Sequence, residues 1–278
     1  MKHQAQVVLI TGCSTGIGRA TALHLHARGW RVFATARRME TLDDLASETL
    51  TPVYLELTDA ASCAAAVDEV LAQAGRVDAL INNAGYGALG VLEEVAPDEA
   101  RLQFETNVLG PLRMCQLVAP TMRAQQGGRI INISSAAGET AYPIAGLYCA
   151  SKAALGSLSD TLRVELRPWN IKVVVVAPGI VRTAWFDNAN RRATGLVDNA
   201  DSPYARLLNS YEKFQPAITG SRMPGPEAVV RMIDRALTAR WPAPYYFGPG
   251  LFWNGVVRLG RLTPLRLRDA LLARIFWT

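Results

Sequence analysis

The chain has 278 residues, half of them hydrophobic, which suits one large α/β domain and leaves too little length for two. No run of eighteen apolar residues occurs, which excludes a membrane-spanning helix by hydropathy. The net charge of +5 is mostly in the tail, where residues 253–278 hold five arginines against one aspartate, so the body carries no basic stripe of the kind nucleic acid requires.

In chain order, short apolar runs fall at 6–10, 31–36, 52–57, 77–81, 129–134, 171–177 and 245–247. Longer stretches of helical composition separate them, among them 60–74, 111–126 and 147–167. Seven strands alternating with helices predict an α/β fold, a doubly wound parallel sheet with helices on both faces. The run from Val173 to Val176 is apolar on both faces, as a central parallel strand should be. Neither a repeat nor a low-complexity linker interrupts the chain, so residues 1–278 read as a single domain. The opening Met-Lys-His-Gln-Ala-Gln leads into a short buried strand and not a secretory signal. The four cysteines, Cys13, Cys63, Cys115 and Cys149, have no paired or metal-ligand spacing, which points to a reduced, cytoplasmic protein without a metal.

The first strand runs into residues 11–18, TGCSTGIG, directly before a helical stretch. Glycines there let the backbone approach a pyrophosphate seated on the amides of a helix N-terminus. Further on, Ser134-Ser135 is followed by Tyr148 and Lys152. Residues four apart share one helix face, so the phenol and the ammonium can converge. A neighbouring lysine should lower a tyrosine pKa from about 10, making Tyr148 an acid/base at neutral pH.

Residues 11–18 (TGCSTGIG), 82–85 (NNAG), Asn107, Ser135, Tyr148-x-x-x-Lys152 and Pro178-Gly179 together resemble the short-chain dehydrogenase/reductase family, its main branch of roughly 250 residues. The resemblance covers residues 6 to about 185 and implies a Rossmann fold with hydride transfer at a nicotinamide. By resemblance Tyr148 donates a proton to the substrate carbonyl, Lys152 holds the nicotinamide ribose, and Ser135 hydrogen-bonds the substrate oxygen. Asn107 would bend its helix and anchor a water relaying protons to Lys152. Ser135 is chosen over Ser134 by its spacing from the tyrosine; Ser134, adjacent in a strand, should face the other way. Gly12, Ser14, Thr15, Gly16, Ile17 and Gly18 would cradle the phosphates, with Asn83, Ala84 and Gly85 beside the adenosine ribose. Pro178, Gly179, Ile180 and Thr183 would hold the carboxamide.

Family members that use NAD usually end the second strand on a carboxylate, whereas here the strand ends Ala36-Arg37-Arg38. A guanidinium binds a 2′-phosphate through parallel hydrogen bonds, so Arg37 selects NADP(H) over NAD(H), with Arg38 stacking on adenine. The third strand, where the family commonly has an aspartate at the adenine amine, reads Leu55-Glu56-Leu57-Thr58-Asp59. Glu56 takes that place, one methylene longer and less fixed, beside Leu57; Asp59 reads as the N-cap of the following helix.

Residues 183–225 correspond to the family's substrate lid and hold Trp185, Phe186, Tyr204, Leu207, Leu208, Tyr211 and Phe214. Such a lining suits a lipophilic small molecule, or equally an ordinary packed lid. Gly225-Pro226-Glu227 reads as the next helix start, with proline in first position. Residues 246–278 form an extension with Phe252, Trp253, Phe276 and Trp277 among its arginines. Arg268 falls inside the apolar arc of its last helix, so packing on the domain or at a subunit contact is favoured over a membrane-surface anchor. An extra wall of the pocket is the other functional reading of this extension. The tail and Tyr86-Gly87 also resemble, more distantly, the branch holding retinol and 17β-hydroxysteroid dehydrogenases. The helices at 111–126 and 147–167 form the family's usual dimer surface, which implies a homodimer or homotetramer. The expectation is an NADP(H)-dependent oxidoreductase interconverting a carbonyl and an alcohol on a lipophilic substrate. A 3-ketoacyl-thioester reductase and a non-catalytic NADP sensor are the alternatives, the latter disfavoured because both Tyr148 and Lys152 are present.

Overall fold

A computed structural model describes residues 5–183, 185, 189, 202–218, 223–249, 255, 259–260 and 262–277. Seven parallel strands form one sheet: β1 (Val7–Ile10), β2 (Arg31–Ala36), β3 (Leu50–Tyr54), β4 (Ala79–Asn82), β5 (Gly128–Ile133), β6 (Ile171–Pro178) and β7 (Tyr245–Gly248). Their order across the sheet is β3-β2-β1-β4-β5-β6-β7. The order reverses between β1 and β4, so the chain leaves these neighbours toward opposite faces and opens a crevice at their C-terminal ends.

Because both faces are covered, successive residues of a strand enter different cores. Val8 and Ile10 pack with Leu25, Val229 and Ile233. Val7 and Leu9 pack with Val67, Val70, Met114 and Val118. The first five helices are α1 (Gly16–Ala27), which supplies Leu25, α2 (Ala60–Ala74), which supplies Val67 and Val70, α3 (Pro97–Phe104), α4 (Gly110–Ala124), which supplies Met114 and Val118, and α5 (Gly146–Glu165). Three more follow, α6 (Ala205–Ile218), α7 (Glu227–Thr238) and α8 (Leu265–Trp277). No described helix is long and apolar enough to cross a membrane.

The third strand departs from the expected 52–57. It begins at Leu50 and ends at Tyr54, because β2, its only partner, ends at Ala36 opposite Tyr54. Pro52 is tolerated inside it because β3 is an edge strand with one side free of ladder bonds. Leu55 to Asp59 therefore form the loop after the strand. Asp59 caps α2, its Oδ1 accepting from the Ala61 amide at 2.8 Å. Pro226 stands at the cap of α7, one position before the helix and not inside it.

Candidate active site

The glycine-rich segment leaves β1 and enters α1 at Gly16. Gly12 has φ +73°, a conformation that a side chain disfavours. A Cβ on Gly18 would lie 2.2 Å from the Gly12 carbonyl oxygen, so the first turn of α1 closes onto the loop only with glycine there. Thr15 caps this helix without any side-chain hydrogen bond, leaving the first-turn amides to an anionic ligand. Ser14 and Ile17 are partly buried around the turn.

The NNAG segment locks against that loop. Asn83 Nδ2 donates to the carbonyls of Thr11 and Gly12 at 2.9 and 3.0 Å. Thr11 Oγ1 accepts from the amides of Asn83 and Ala84, both at 3.0 Å. Gly85 comes next, its backbone so close to the buried polar pair that a Cβ would sit 3.0 Å from Asn107 Oδ1 and 3.3 Å from Lys152 Nζ. Thr183, at the far end of the sequence motif set, lies against Gly16, 3.4 Å from where its Cβ would be.

Asn107 is buried in a π-helical turn, Glu105–Leu109, between α3 and α4. A π-helical turn thus stands where a local bend was expected of Asn107. Its amide is held at both ends: Oδ1 accepts from Tyr86 N at 3.1 Å, while Nδ2 donates to Tyr86 O at 2.8 Å and Ser151 Oγ at 3.0 Å. Ser151 in turn donates to the Tyr148 carbonyl at 2.8 Å. This serine was not legible as a site residue, since it announces itself only by spacing on a helix that already carried two better candidates.

Ser134 and Ser135 part as alternation requires. Ser134 Oγ donates to the Lys152 carbonyl at 3.1 Å, inside the fold. Ser135 faces Tyr148, in hydrogen-bonding contact with its hydroxyl. Its Oγ accepts from Ala137 N at 3.1 Å and lies 3.5 Å from the carbonyl of Pro178. Pro178 ends β6, and the amide of Gly179 donates to the Gly248 carbonyl at 2.6 Å, which fixes the segment leading through Ile180 to Thr183.

The lysine does not tune the tyrosine as expected. Lys152 Nζ donates to the Ile133 carbonyl at 2.9 Å and lies 5.8 Å from the centre of the Tyr148 ring. Burial pushes the Tyr148 phenol up to about 12, with the Ser135 hydrogen bond acting against it. Burial likewise lowers Lys152 to about 8. Desolvation outweighs any attraction between the pair, because the ammonium is turned to a backbone carbonyl and not to the phenolic oxygen. The resting phenol is a proton donor at neutral pH.

At the adenosine end, Arg37 and Arg38 point outward from β2 with 66% and 77% of their side chains exposed. Arg37 Nη1 lies 3.7 Å from Glu56 Oε2. Glu56 is more fixed than expected, since its Oε1 accepts from Thr58 N at 3.1 Å and Thr58 Oγ1 at 2.9 Å. The loop position after β3 turns that carboxylate back on its own backbone, so it is spoken for by Thr58 and Arg37. The Leu57 carbonyl accepts from Arg113 Nη1 at 2.6 Å. The open amides of α1, the Gly12–Gly18 cradle and the exposed guanidinium of Arg37 fit a phosphorylated dinucleotide.

Above Tyr148 the ring of Trp185 stands at 4.9 Å between centroids. Leu207, Leu208 and Tyr211 of α6 are buried in the same cluster as Tyr148, Leu89, Val91 and Ile144. Tyr204 is partly buried against it and hydrogen-bonds Glu93. Phe186, the side chain of Phe214, Phe252 and Trp253 lie outside the described residues. All four cysteines are buried and free, and no group of metal-ligating side chains occurs among the described residues. A larger cavity of about 410 Å³, lined by Trp30, Arg129 and Trp241 among others, lies at the strands' N-terminal ends, away from Tyr148.

A family model described as short chain dehydrogenase matches residues 6–194. The chain is 38% identical over 214 residues to a 3-ketodihydrosphingosine reductase of Bacteroides thetaiotaomicron, covering 76% of this chain and 77% of that protein. It is 35% identical to the uncharacterized oxidoreductase YbbO of Escherichia coli, over 98% of this chain and 95% of that one. Human 17-beta-hydroxysteroid dehydrogenase type 1 is 32% identical, over 87% and 76%. Among solved structures, a Burkholderia phymatum short chain dehydrogenase/reductase in complex with NAD superposes with a TM-score of 0.77 at 28% identity, covering 93% and 94%. A Burkholderia cenocepacia short chain dehydrogenase in complex with NADP gives 0.74 at 26% identity, covering 99% of each chain.

Proposed function

The chain belongs to the short-chain dehydrogenases and is an NAD(P)-dependent oxidoreductase; on that premise we propose that it interconverts a carbonyl and an alcohol on a lipophilic substrate, with NADP(H) preferred. The observation that carries the chemistry is the convergence of Ser135, Tyr148, Lys152 and Asn107 where β5, α5 and the π-helical turn meet.

The nicotinamide, when bound, supplies or accepts the hydride. Gly12, Ser14, Thr15, Gly16, Ile17 and Gly18 would hold the phosphates, Asn83, Ala84 and Gly85 the adenosine ribose, and Pro178, Gly179, Ile180 and Thr183 the carboxamide. Lys152 would hold the nicotinamide ribose. In the reducing direction, the Tyr148 hydroxyl, protonated at neutral pH, donates to the substrate oxygen. Ser135 hydrogen-bonds the same oxygen as charge develops on it. Asn107, fixed by Tyr86 and Ser151, keeps the turn beside Lys152 rigid. Trp185, Leu207 and Leu208 exclude water and favour an apolar substrate, which the sphingoid and steroid specificities named for two relatives also support.

The exposed Arg37 just after β2 supports NADP(H), since the strand itself ends without a carboxylate and Glu56, 3.7 Å from Arg37, is held by Thr58. A screen of NADPH against NADH over steroid, retinoid, fatty and small ketones tests the whole reading. Expected is NADPH oxidation with apolar ketones, and a shift of preference toward NADH by at least tenfold in Arg37→Asp, about the worth of one charge-assisted contact. Unchanged cofactor selectivity in that variant would sink the assignment of Arg37. Turnover confined to thioesters would favour the 3-ketoacyl reductase alternative.

A further inference from the structure

The last helix is turned the wrong way for simple burial. Its inward stripe, one residue every four, is Arg268, Leu272 and Phe276, of which Phe276 is 3% exposed. Leu267, Leu271 and Ile275, which would make an all-apolar stripe, face solvent at about half exposure. A rotation of about one residue, roughly 100°, would bury those three instead. The helix nonetheless packs on α6 with an arginine inside.

That arginine is held back from water without a good partner. The Arg268 side chain is 27% exposed, and its buried Nε has no hydrogen-bond partner among the described residues. Asp269 Oδ1, at 3.8 Å, is too far for a hydrogen bond and belongs to a side chain 68% exposed. Arginine is rarely buried unpaired, and a desolvated donor left unsatisfied is costly.

Arg268 lines a cavity of about 340 Å³, within the range of small-molecule sites. The remaining wall is mostly apolar, built by Val91 and Leu92, by Ile144 and Gly146 two residues before Tyr148, by Leu207 of the lid helix and by Leu272, with Tyr142 and Asp269 as its polar members. The segment at Val91, the residues just before Tyr148 and the helices α6 and α8 thus enclose one space whose lining holds one cation, Arg268, with Asp269 beside it.

We propose that this cavity is the distal part of the substrate site, and that Arg268 receives a carboxylate at the far end of an apolar substrate whose reacting carbonyl lies at Tyr148. The reading rests on the oxidoreductase assignment above and narrows its substrate to apolar oxo or hydroxy acids. Apolar contact along the wall supplies burial, and the planar guanidinium supplies a bidentate anion contact that Asp269 does not make.

The test is the thermal shift of the full chain with decanoate and with methyl decanoate, for the wild type, Arg268→Met and Arg268→Lys. Expected is a larger shift from decanoate in the wild type and roughly tenfold weaker decanoate binding in Arg268→Met. The ester's own shift should be kept in that variant, which serves as the control for folding, and decanoate binding should be partly restored in Arg268→Lys. Equal wild-type shifts from acid and ester, or an acid preference that survives in Arg268→Met, would overturn the proposal. Loss of both shifts in Arg268→Met with none regained in Arg268→Lys would also overturn it, assigning the arginine to packing of α8. Turnover of neutral ketones with no acid preference would leave the oxidoreductase reading standing while this one fails.

Discussion

At the scale of single residues, burial decides the protonation of the central pair. Tyr148 and Lys152 share a helix face, as their spacing required, yet the phenol is raised and the ammonium lowered because both are desolvated. The lysine makes a stability prediction with a definite sign. Its folded pKa of about 8 lies below the 10.5 of the unfolded chain, so between those values the unfolded state binds more protons. Stability contributed by this residue therefore rises with pH through that window and is lost as pH falls through 8. In cofactor-free protein, the melting-temperature difference between wild type and Lys152→Met should grow in favour of the wild type from pH 8 to 10.5. The buried thiols of Cys13 and Cys115, raised to about 12, act in the opposite sense but cancel in the comparison. A flat difference across the window would mean that Lys152 is not desolvated. Tyr148 and Lys152 stood out by their spacing, whereas Ser135 and Asn107 stood out only through register with the family's other motifs. Ser151 did not, and of Thr11 only its place in the motif did, because the role of a buried hydroxyl in holding Asn107, or Asn83 and Ala84, has no pattern until its partners are folded around it.

At the scale of elements, local signals located helices better than strand ends. The stretch 60–74 was legible as α2 from its composition and from Asp59 before it, and the structure closes it on Gly75 in the left-handed conformation, φ +68°. Replacing Asp59 with alanine should cost about 1 kcal/mol in denaturant unfolding, the usual worth of an N-cap. No measurable loss would return Asp59 to the role of a solvent-facing loop residue. The third strand was placed two to three residues too late because the apolar run 52–57 does not reveal where its neighbour stops pairing. That slip mattered to the site, since it moved Glu56 into a loop where Thr58 can hold it. The π-helical turn at Asn107 had no signal of its own in composition, and only a local bend was expected there from the family resemblance.

For the whole molecule, the outer faces of α4 and α5 lie away from the crevice, and Leu109 and Val164 are 45% and 73% exposed beside them. We expect this surface to join two copies, as the family resemblance implies, so that Leu109→Glu with Val164→Glu should lower the mass in light scattering from dimer or tetramer to monomer. A monomeric wild type would show that these faces are free. The sequence alone determined the sheet and, through the family resemblance, marked the residues proposed for the nucleotide cradle and the catalytic groups, because strand and helix periodicity and the spacing of glycine, serine, tyrosine and lysine are local properties of the chain. Tertiary structure alone decided that Tyr148 keeps its proton, that Glu56 is taken by Thr58, and that α8 carries Arg268 inward over an apolar cavity. Each of those depends on desolvation and on contacts between segments far apart in the chain, which no local pattern encodes.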